Sequence, residues 1–253
     1  MAERILGVLG GMGPLASAQF MTRLTVLTAA SIDQEHVPAV LWSDPTIPDR
    51  APALLGRPGA ADPLPGIRRA VAGLRRAGCG ALAMPCNTVH GWAELIAAEG
   101  LPVLHIVDAV AAELARHLPP GSTVGIIGTT CTHTLRLYET RLEPAGWRCL
   151  SPAAAEIEGA VMPAIAAVKG NRMAESHAPI AAAIDGLVAR GARAVILGCT
   201  ELPIAVAAGP ARDFGALLVD SIDALALAAI AWARGDDALL GLSPPAGALL
   251  PAA

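Results

Sequence analysis

Apolar and polar positions follow two different spacings along the chain. Apolar runs of strand length begin at Arg4, Val37, Pro102, Ser122, Ala192 and Gly215. Longer stretches in which apolar residues recur at helical spacing begin at Pro14, at Gly66 and after Thr132. Strands that alternate with helices favour a mainly parallel sheet with crossover connections, so the pattern predicts an α/β fold. The segment from Ser43 to Pro65 is rich in proline and is predicted to be a long loop.

Two kinds of turn occur twice, in the same order. The strands in "LGVLGGMGP" and "VGIIGTTCT" end in glycine, and those in "ALAMPCNTVH" and "AVILGCTELP" lead into cysteine and threonine. Gly10 precedes Cys86, and Gly128 precedes Cys199, by similar intervals, which indicates an internal duplication. Ligands of open parallel sheets bind beyond the carboxyl ends of the strands. We therefore expect the two halves to face each other, with Cys86 and Cys199 on opposite walls of one cleft.

Composition narrows the class of protein. The 253 residues are 54% apolar and 16% charged, with a net charge of -4, so no basic surface for nucleic acid is expected. The apolar run from Leu225 to Ala233 is much shorter than the roughly 20 residues of a membrane span. The N-terminus lacks the pattern of a signal peptide, and five irregularly spaced cysteines favour a reducing compartment. These features predict a cytoplasmic protein without a membrane partner.

The five cysteines divide into two groups. Cys79 and Cys149 are interpreted as small core residues, because isolated cysteines are usually buried. Cys86 and Cys199 are predicted at strand ends, where a following helix would lower the thiol pKa and favour the thiolate. No CxxC pair accompanies them, although His90 lies four residues after Cys86, so a metal site is not favoured.

Two thiols on opposite walls fit one kind of reaction particularly well. A thiolate on one face of an amino acid can remove the α-proton while a thiol on the other face delivers a proton, which inverts the stereocentre. The reverse reaction exchanges the two roles, so two equal residues serve better than an unlike pair.

The motifs resemble those of the aspartate/glutamate racemase superfamily over nearly the whole chain. The matching segments are "VLGGMGP", "MPCNTVH", "LHIVDA", "GTTCTHTLRLY" and "ILGCTELP". The resemblance implies two similar open-sheet α/β domains related by pseudo-two-fold symmetry, with the active site in the cleft between them. It also implies catalytic residues Cys86 and Cys199, no cofactor and a homodimer. We predict a first domain of residues 1–105 and 208–235, a second of 106–207, and a loose tail of 236–253.

Two further segments are similar to those of the aspartate racemase branch and bear on the substrate. "SDPTIPDR" ends in Arg50 and "AVKGNR" contains Lys169, so the resemblance implies that these two cations bind a substrate carboxylate. A planar guanidinium in a loop stiffened by proline suits bidentate carboxylate binding. Aspartate is the favoured substrate, with glutamate as the other acidic candidate.

Several polar residues near the turns have two interpretations. Asn87, Thr88, Thr129 and Thr200 are candidate ligands of the substrate α-carboxylate and ammonium, or else helix caps. The roles of Cys131, His90, His105 and His133 stay open, as do those of Asp108 and Glu201.

Three other functions are alternatives. The sequence from Gly11 through Gly13 to Ala16 fits a dinucleotide-binding turn, and Asp44 could then bind a ribose, as in an NAD(P)-dependent oxidoreductase. A maleate isomerase-like enzyme of the same superfamily would use a similar framework. A non-catalytic amino-acid-binding protein would bind aspartate without exchanging its α-hydrogen.

Overall fold

The computed structural model describes residues 4–236 as two units, each built on a parallel sheet. The first unit comprises residues up to Ala109 and from Leu225 onward, and the second comprises Val110–Ala224. The predicted tail lies outside the described residues apart from its first residue, Asp236.

The sheet of the first unit has four parallel strands in the order β2-β1-β3-β4. The strands are β1 (Ile5–Gly10), β2 (Ala39–Ser43), β3 (Cys79–Ala83) and β4 (Val103–Leu104). The helices are α1 (Pro14–Leu27), α2 (Arg50–Leu54), α3 (Leu64–Arg76), α4 (Ala93–Ala97) and the start of α5 (Ile106–His117), with 3-10 turns at Asp33–Glu35 and Thr88–Trp92. The central strand β1 is buried from Leu6 onward, as expected for a parallel strand covered on both faces.

The second unit repeats this topology with strand order β6-β5-β7-β8, again all parallel. Its strands are β5 (Thr123–Gly128), β6 (Arg148–Leu150), β7 (Ala194–Gly198) and β8 (Leu217–Asp220). Its helices are α6 (Thr130–Thr134), α7 (Glu139–Leu142), α8 (Ala154–Glu156), α9 (Met162–Lys169), α10 (His177–Ala189) and α11 (Leu202–Ala207), and α12 (Ser221–Arg234) runs into the first unit. A π-helical segment at Ile157–Val161 joins α8 to α9, and a 3-10 turn covers Met173–Glu175. The predicted α/β fold with two similar open sheets is confirmed.

One predicted domain boundary needs correction. The sequence predicts residues 208–224 in the first domain, but β8 pairs in parallel with β7 from Ala194↔Leu217 to Leu197↔Asp220. This pairing supplies the fourth strand of the second sheet, so the segment belongs to the second unit. The chain passes into the first unit later, within α12.

The proline-rich segment 43–65 is also more ordered than predicted. It contains α2, whose N-cap Asp49 accepts a hydrogen bond from the amide of Ala51 through its side chain at 3.3 Å. Helix α3 begins at Leu64, two residues before the predicted start at Gly66, with a proline in its first turn. Proline is compatible with the first turn of a helix, because the amide that it lacks would have no helical partner there.

Candidate active site

The glycine turn of the first unit connects β1 to α1. Gly11 has a φ of +89°, and a Cβ added there would lie 2.4 Å from backbone atoms of Asp44, so only glycine fits without displacing the chain. The Gly11 amide donates to Ser17 Oγ at 2.9 Å, and Ser17 Oγ donates to the Gly13 carbonyl at 2.8 Å. The turn is therefore fixed to the first turn of α1 and to the residue that follows β2.

Arg50 starts helix α2 and reaches back to this turn. Its Nη2 donates to the Met12 carbonyl at 3.2 Å, while its Nη1 donates to the carbonyls of Pro48 at 3.1 Å and Ile47 at 3.4 Å. Its Nε is buried and has no hydrogen-bond partner among the described residues. The guanidinium is thus held in one orientation beside the glycine turn.

Cys86 follows β3 after two further buried residues, Met84 and Pro85. Its side chain is buried, and its amide donates to the Met84 carbonyl at 2.7 Å. The 3-10 turn Thr88–Trp92 comes next, in place of the predicted α-helix start. Asn87 and Thr88 are the two residues after the cysteine; Asn87 is buried and Thr88 is half-buried.

Two buried histidines support the Cys86 turn from within the first unit. His90 donates from Nδ1 to the carbonyl oxygen of Cys86 at 2.9 Å, which places its proton on Nδ1 because a carbonyl only accepts. The ring of His105 lies edge-on to that of His90, with centroids 4.8 Å apart. His105 Nδ1 accepts from the Val107 amide at 3.2 Å, at the start of α5. These contacts give a structural role to two histidines whose function the sequence left open.

In the second unit, the glycine–threonine turn after β5 is capped by Thr129. Its Oγ1 accepts from the Thr132 amide at 3.2 Å and lies 3.0 Å from Thr132 Oγ1, so the helix-cap interpretation of Thr129 describes the observed contact. Cys131 is buried in the same short helix, α6. Burial lowers the pKa of the nearby His133 to about 4, so this imidazole is neutral at physiological pH.

Cys199 comes directly after β7 and is 6% exposed. Its Sγ donates to Glu201 Oε2 at 3.0 Å, and Thr200 Oγ1 donates to the same oxygen at 3.4 Å. All three side chains are buried.

The prediction of a lowered pKa for Cys199 is wrong. Burial raises the pKa of this thiol well above its usual range, and the neighbouring Glu201 carboxylate raises it further, while the positive charge of Lys169 lowers it. Helix α11 begins only at Leu202, beyond the carboxylate. The nearest partner of the thiol is therefore an anion, which favours the protonated form.

Lys169 is the last residue of α9 and is exposed, and its charge acts on Cys199. The π-helical segment that precedes α9 is tied to the glycine–threonine turn, because Thr130 Oγ1 donates to Glu158 Oε1 at 2.7 Å. Such π segments inside helices occur frequently at functional sites. The sequence pattern gave no sign of this link.

The strand that ends at Cys199 is backed by a buried tyrosine. A Cβ added at Gly198 would lie 2.9 Å from the ring of Tyr138, so the ring packs directly on the strand end. Tyr138 is hydrogen-bonded to the side chain of Ser221, whose Oγ donates to the Leu197 carbonyl at 2.8 Å. These supporting residues were missed by sequence reasoning, since their roles depend on tertiary contacts.

The other two cysteines differ in burial. Cys79 is buried on β3, as predicted, whereas Cys149 is only half-buried on the short strand β6. Burial, with a smaller effect of Glu139, raises the pKa of Cys149 to about 12. Among residues 4–236 all five cysteines are free, and no group of three or more histidine, cysteine or acidic side chains is arranged to hold a metal.

Within the described residues, no helix is both long and apolar enough to cross a membrane.

The predicted site residues are thus shared equally between the two units. Arg50, Cys86, Asn87 and Thr88 lie in the first, and Thr129, Lys169, Cys199 and Thr200 in the second. Asp44, which the dinucleotide alternative would assign to a ribose, instead accepts from the amide and hydroxyl of Thr46 at 2.9 and 2.5 Å.

A family model and similar solved structures point to the same family of proteins. The family model described as Asp/Glu/Hydantoin racemase matches residues 9–229. The structure of Picrophilus torridus aspartate racemase is similar with a TM-score of 0.77 and 30% identity, covering 91% of this chain and 94% of that chain. An aspartate racemase homologue from Pyrococcus horikoshii OT3 has a TM-score of 0.70 and 22% identity, covering 92% and 99% of the two chains.

A structure with lower sequence identity agrees in fold. A glutamate racemase from Francisella tularensis subsp. tularensis SCHU S4, solved with D-glutamate, has a TM-score of 0.61 and 16% identity, covering 97% of this chain and 86% of that chain. An uncharacterised protein of Pectobacterium carotovorum subsp. carotovorum is 35% identical over 81 residues, 32% of this chain and 53% of that protein. The aligned part thus spans about half the length of this curated relative.

Proposed function

The chain belongs to the Asp/Glu/Hydantoin racemase family, and from this premise we propose that it racemises an acidic amino acid without a cofactor, with aspartate favoured over glutamate. The 30% identity to an aspartate racemase over 91% of the chain supports the choice of aspartate. The observation that most supports the proposal is a structural feature that occurs once in each unit. In each of two units with the same topology, the strand in the third position of the sheet order leads into a buried cysteine.

We propose that Cys86 and Cys199 act on opposite faces of the same substrate. One thiolate takes the α-proton and becomes a thiol, which leaves a carbanion at the α-carbon. The other cysteine, as a thiol, delivers its proton to the opposite face and becomes the thiolate. The net change is inversion of the stereocentre, and the reverse reaction uses the same groups in exchanged roles.

Burial of the Cys199 thiol supports this chemistry. A buried thiol whose pKa is raised gives up its proton reluctantly, but the thiolate that forms is correspondingly a stronger base. The α-hydrogen of an amino acid is a very weak acid, so a poorly solvated strong base is what its removal requires.

The distal carboxylate of the substrate is proposed to bind Arg50 and Lys169. Arg50 is positioned in advance by three backbone carbonyls, so little side-chain entropy is lost when it binds an anion. Its Nε is buried and its Nη1 already donates to two carbonyls, so the carboxylate is proposed to accept from the remaining N–H of Nη2.

The α-amino and α-carboxylate groups are proposed to bind near the cysteines, at Asn87, Thr88 and Thr200. The side chain of Thr129 already caps α6 by accepting from the Thr132 amide. Thr129 is therefore proposed to bind the substrate mainly through the backbone of its turn. The homodimer and the cytoplasmic location stay predictions.

Incubation of the full-length protein with each enantiomer of aspartate and glutamate in D₂O, followed by proton NMR and chiral chromatography, tests the proposal. We expect loss of the α-hydrogen signal and formation of the opposite enantiomer, fastest with aspartate, after dialysis against EDTA and without pyridoxal phosphate. Binding of aspartate without exchange would instead indicate an amino-acid-binding protein. Conversion of maleate to fumarate without racemisation would indicate the isomerase alternative.

A further inference from the structure

Glu201 is a buried acidic residue for which the two-cysteine reaction has no stated use. It is 5% exposed, and its Oε2 accepts two hydrogen bonds, from Cys199 Sγ at 3.0 Å and from Thr200 Oγ1 at 3.4 Å. The sulfur–oxygen distance of 3.0 Å places the carboxylate in direct contact with the thiol. Buried carboxylates are costly unless they are hydrogen-bonded, and here both donors belong to the cysteine turn.

We propose that Glu201 is the positioning residue of Cys199: its carboxylate orients the thiol and keeps the proton on sulfur, so that in the unliganded protein Cys199 starts the reaction as the acid of the pair. This inference rests on the two-cysteine function proposed above and assigns different starting roles to two residues that are formally equivalent.

The charges around Cys199 agree with this assignment. A carboxylate next to a thiol opposes formation of a second negative charge. In the buried surroundings of Cys199 this repulsion is stronger, because little water screens the two charges. Lys169 at the end of α9 opposes this effect, and Tyr138, whose ring packs against the preceding residue Gly198, also interacts with the thiol. Burial keeps the Tyr138 hydroxyl neutral by raising its pKa far above the physiological range, so its contribution is not a charge. The thiol proton is thus held by the adjacent Glu201, with Lys169 limiting the cost of losing it.

The same arrangement restores the starting state after turnover. When Cys199 has given its proton to a substrate, its thiolate lies beside the Glu201 carboxylate, and their repulsion favours uptake of a proton from solvent by Cys199 while Cys86 releases to solvent the proton that it took from the substrate. A neutral residue at position 201 would remove this bias while leaving the thiol in place.

The proposal is tested on the full chain with Glu201→Gln, Glu201→Asp and, as a matched control, Glu139→Gln. Glu139 is a buried carboxylate of the same unit that accepts from Ser151 Oγ at 3.5 Å, and its charge raises the pKa of Cys149, whereas Glu201 raises that of Cys199. Thiolate formation is followed by far-ultraviolet absorbance during a pH titration without substrate. For each protein, the titration of the same protein carrying Cys199→Ser in addition is subtracted, which removes the signals of the other thiols and the tyrosine.

In the Glu201→Gln variant, the absorbance due to Cys199 should appear at a pH lower by about one unit or more than in the unaltered protein. In the Glu139→Gln variant it should appear at the unaltered pH. The alkaline limb of the pH profile of kcat/KM for racemisation should move in the same direction for Glu201→Gln. If this variant fails to fold by circular dichroism, Glu201→Asp, which withdraws the carboxylate from the sulfur, should show a smaller shift of the same sign.

An unchanged titration of Cys199 in a folded Glu201→Gln or Glu201→Asp variant would overturn the proposal. An equal shift in Glu139→Gln would also overturn it, because the effect would then be a general one of removing buried charge. The titration needs no substrate, so it stands even if the unaltered protein racemises no amino acid, which is the separate result that would refute the proposed function.

Discussion

The guanidinium of Arg50 donates a hydrogen bond to the backbone carbonyl of Met12 at 3.2 Å, across 38 positions of the chain. This contact joins the loop after β2 to the glycine turn after β1. It converts an arginine in a proline-rich loop, which would usually be solvated, into a fixed cation at the carboxyl end of the first sheet. The proposed binding of a substrate carboxylate depends on this fixed position.

Replacement of Arg50 by lysine should impair the reaction although the charge is kept. A lysine ammonium cannot make the same planar set of hydrogen bonds to Met12, Ile47 and Pro48 and still present a donor to the substrate. Loss of one charge-assisted hydrogen bond is worth about 1.5–3 kcal/mol, so kcat/KM for aspartate should fall roughly 10- to 150-fold. Steady-state kinetics of both enantiomers measure this fall.

The exposed Arg57, which lies after α2, provides the matched control, and Arg57→Lys should retain the unaltered rate. Comparison with alanine as substrate separates carboxylate recognition from general damage. If Arg50→Lys slowed the turnover of alanine and aspartate by the same factor, Arg50 would not bind the distal carboxylate.

Substitution of Gly11 by alanine should be far more damaging than the same change at Gly59. Both glycines have positive φ, +89° and +75°, so each alanine carries a backbone strain of about 1–2 kcal/mol. At Gly11 the new Cβ also meets the Asp44 backbone at 2.4 Å, whereas at Gly59 nothing lies within 4 Å. Thermal unfolding should show a small decrease in Tm for Gly59→Ala and a large decrease, or loss of soluble protein, for Gly11→Ala. Similar melting temperatures for the two variants would contradict the close packing of the glycine turn.

The half-buried His133 makes stability depend on pH. In the folded protein its pKa is about 4, while an unfolded histidine takes up its proton near pH 6.5. Between these values the unfolded state binds more protons, so the free energy of unfolding should fall as the pH falls from about 6.5 to about 4. Urea unfolding at several pH values in this window measures the slope. His133→Phe should reduce the slope, and a variant with the full slope of the unaltered protein would show that His133 is not its source.

The sequence predicts the fold well where a feature depends on local pattern. Strands β1 and β7 are apolar throughout, and β5 is apolar after Thr123, because both faces of each sheet are covered; the glycine and cysteine turns mark the ends of these strands. The repetition of these turns predicts two similar sheets, which the structure confirms.

Features that depend on distant partners could not be predicted in the same way. The assignment of β8 to the second sheet follows from its pairing with β7, and no property of the segment around Leu217 specifies that neighbour. The sequence shows Glu201 two residues after Cys199 but not that its carboxylate turns back onto the sulfur, so the direction of the thiol pKa was predicted with the wrong sign.

The central claim is that two cysteines share one reaction, and single substitutions by serine test it. Cys86→Ser and Cys199→Ser each leave a hydroxyl that is too weak an acid to supply a comparable base. Acid–base groups of this kind contribute about 10²- to 10⁴-fold to the rate, so racemisation should fall by at least that range in both variants. Cys79→Ser and Cys149→Ser are the matched controls, one in each unit, and should stay within about tenfold of the unaltered rate, or about 1.4 kcal/mol of barrier.

The most direct measurement follows the α-hydrogen of L-aspartate and of D-aspartate separately in D₂O, once with Cys86→Ser and once with Cys199→Ser. The account predicts that both lose racemisation, and that any residual exchange is selective, with one variant exchanging mainly the L-enantiomer and the other mainly the D-enantiomer. Full racemisation by either Cys86→Ser or Cys199→Ser would contradict the two-cysteine mechanism.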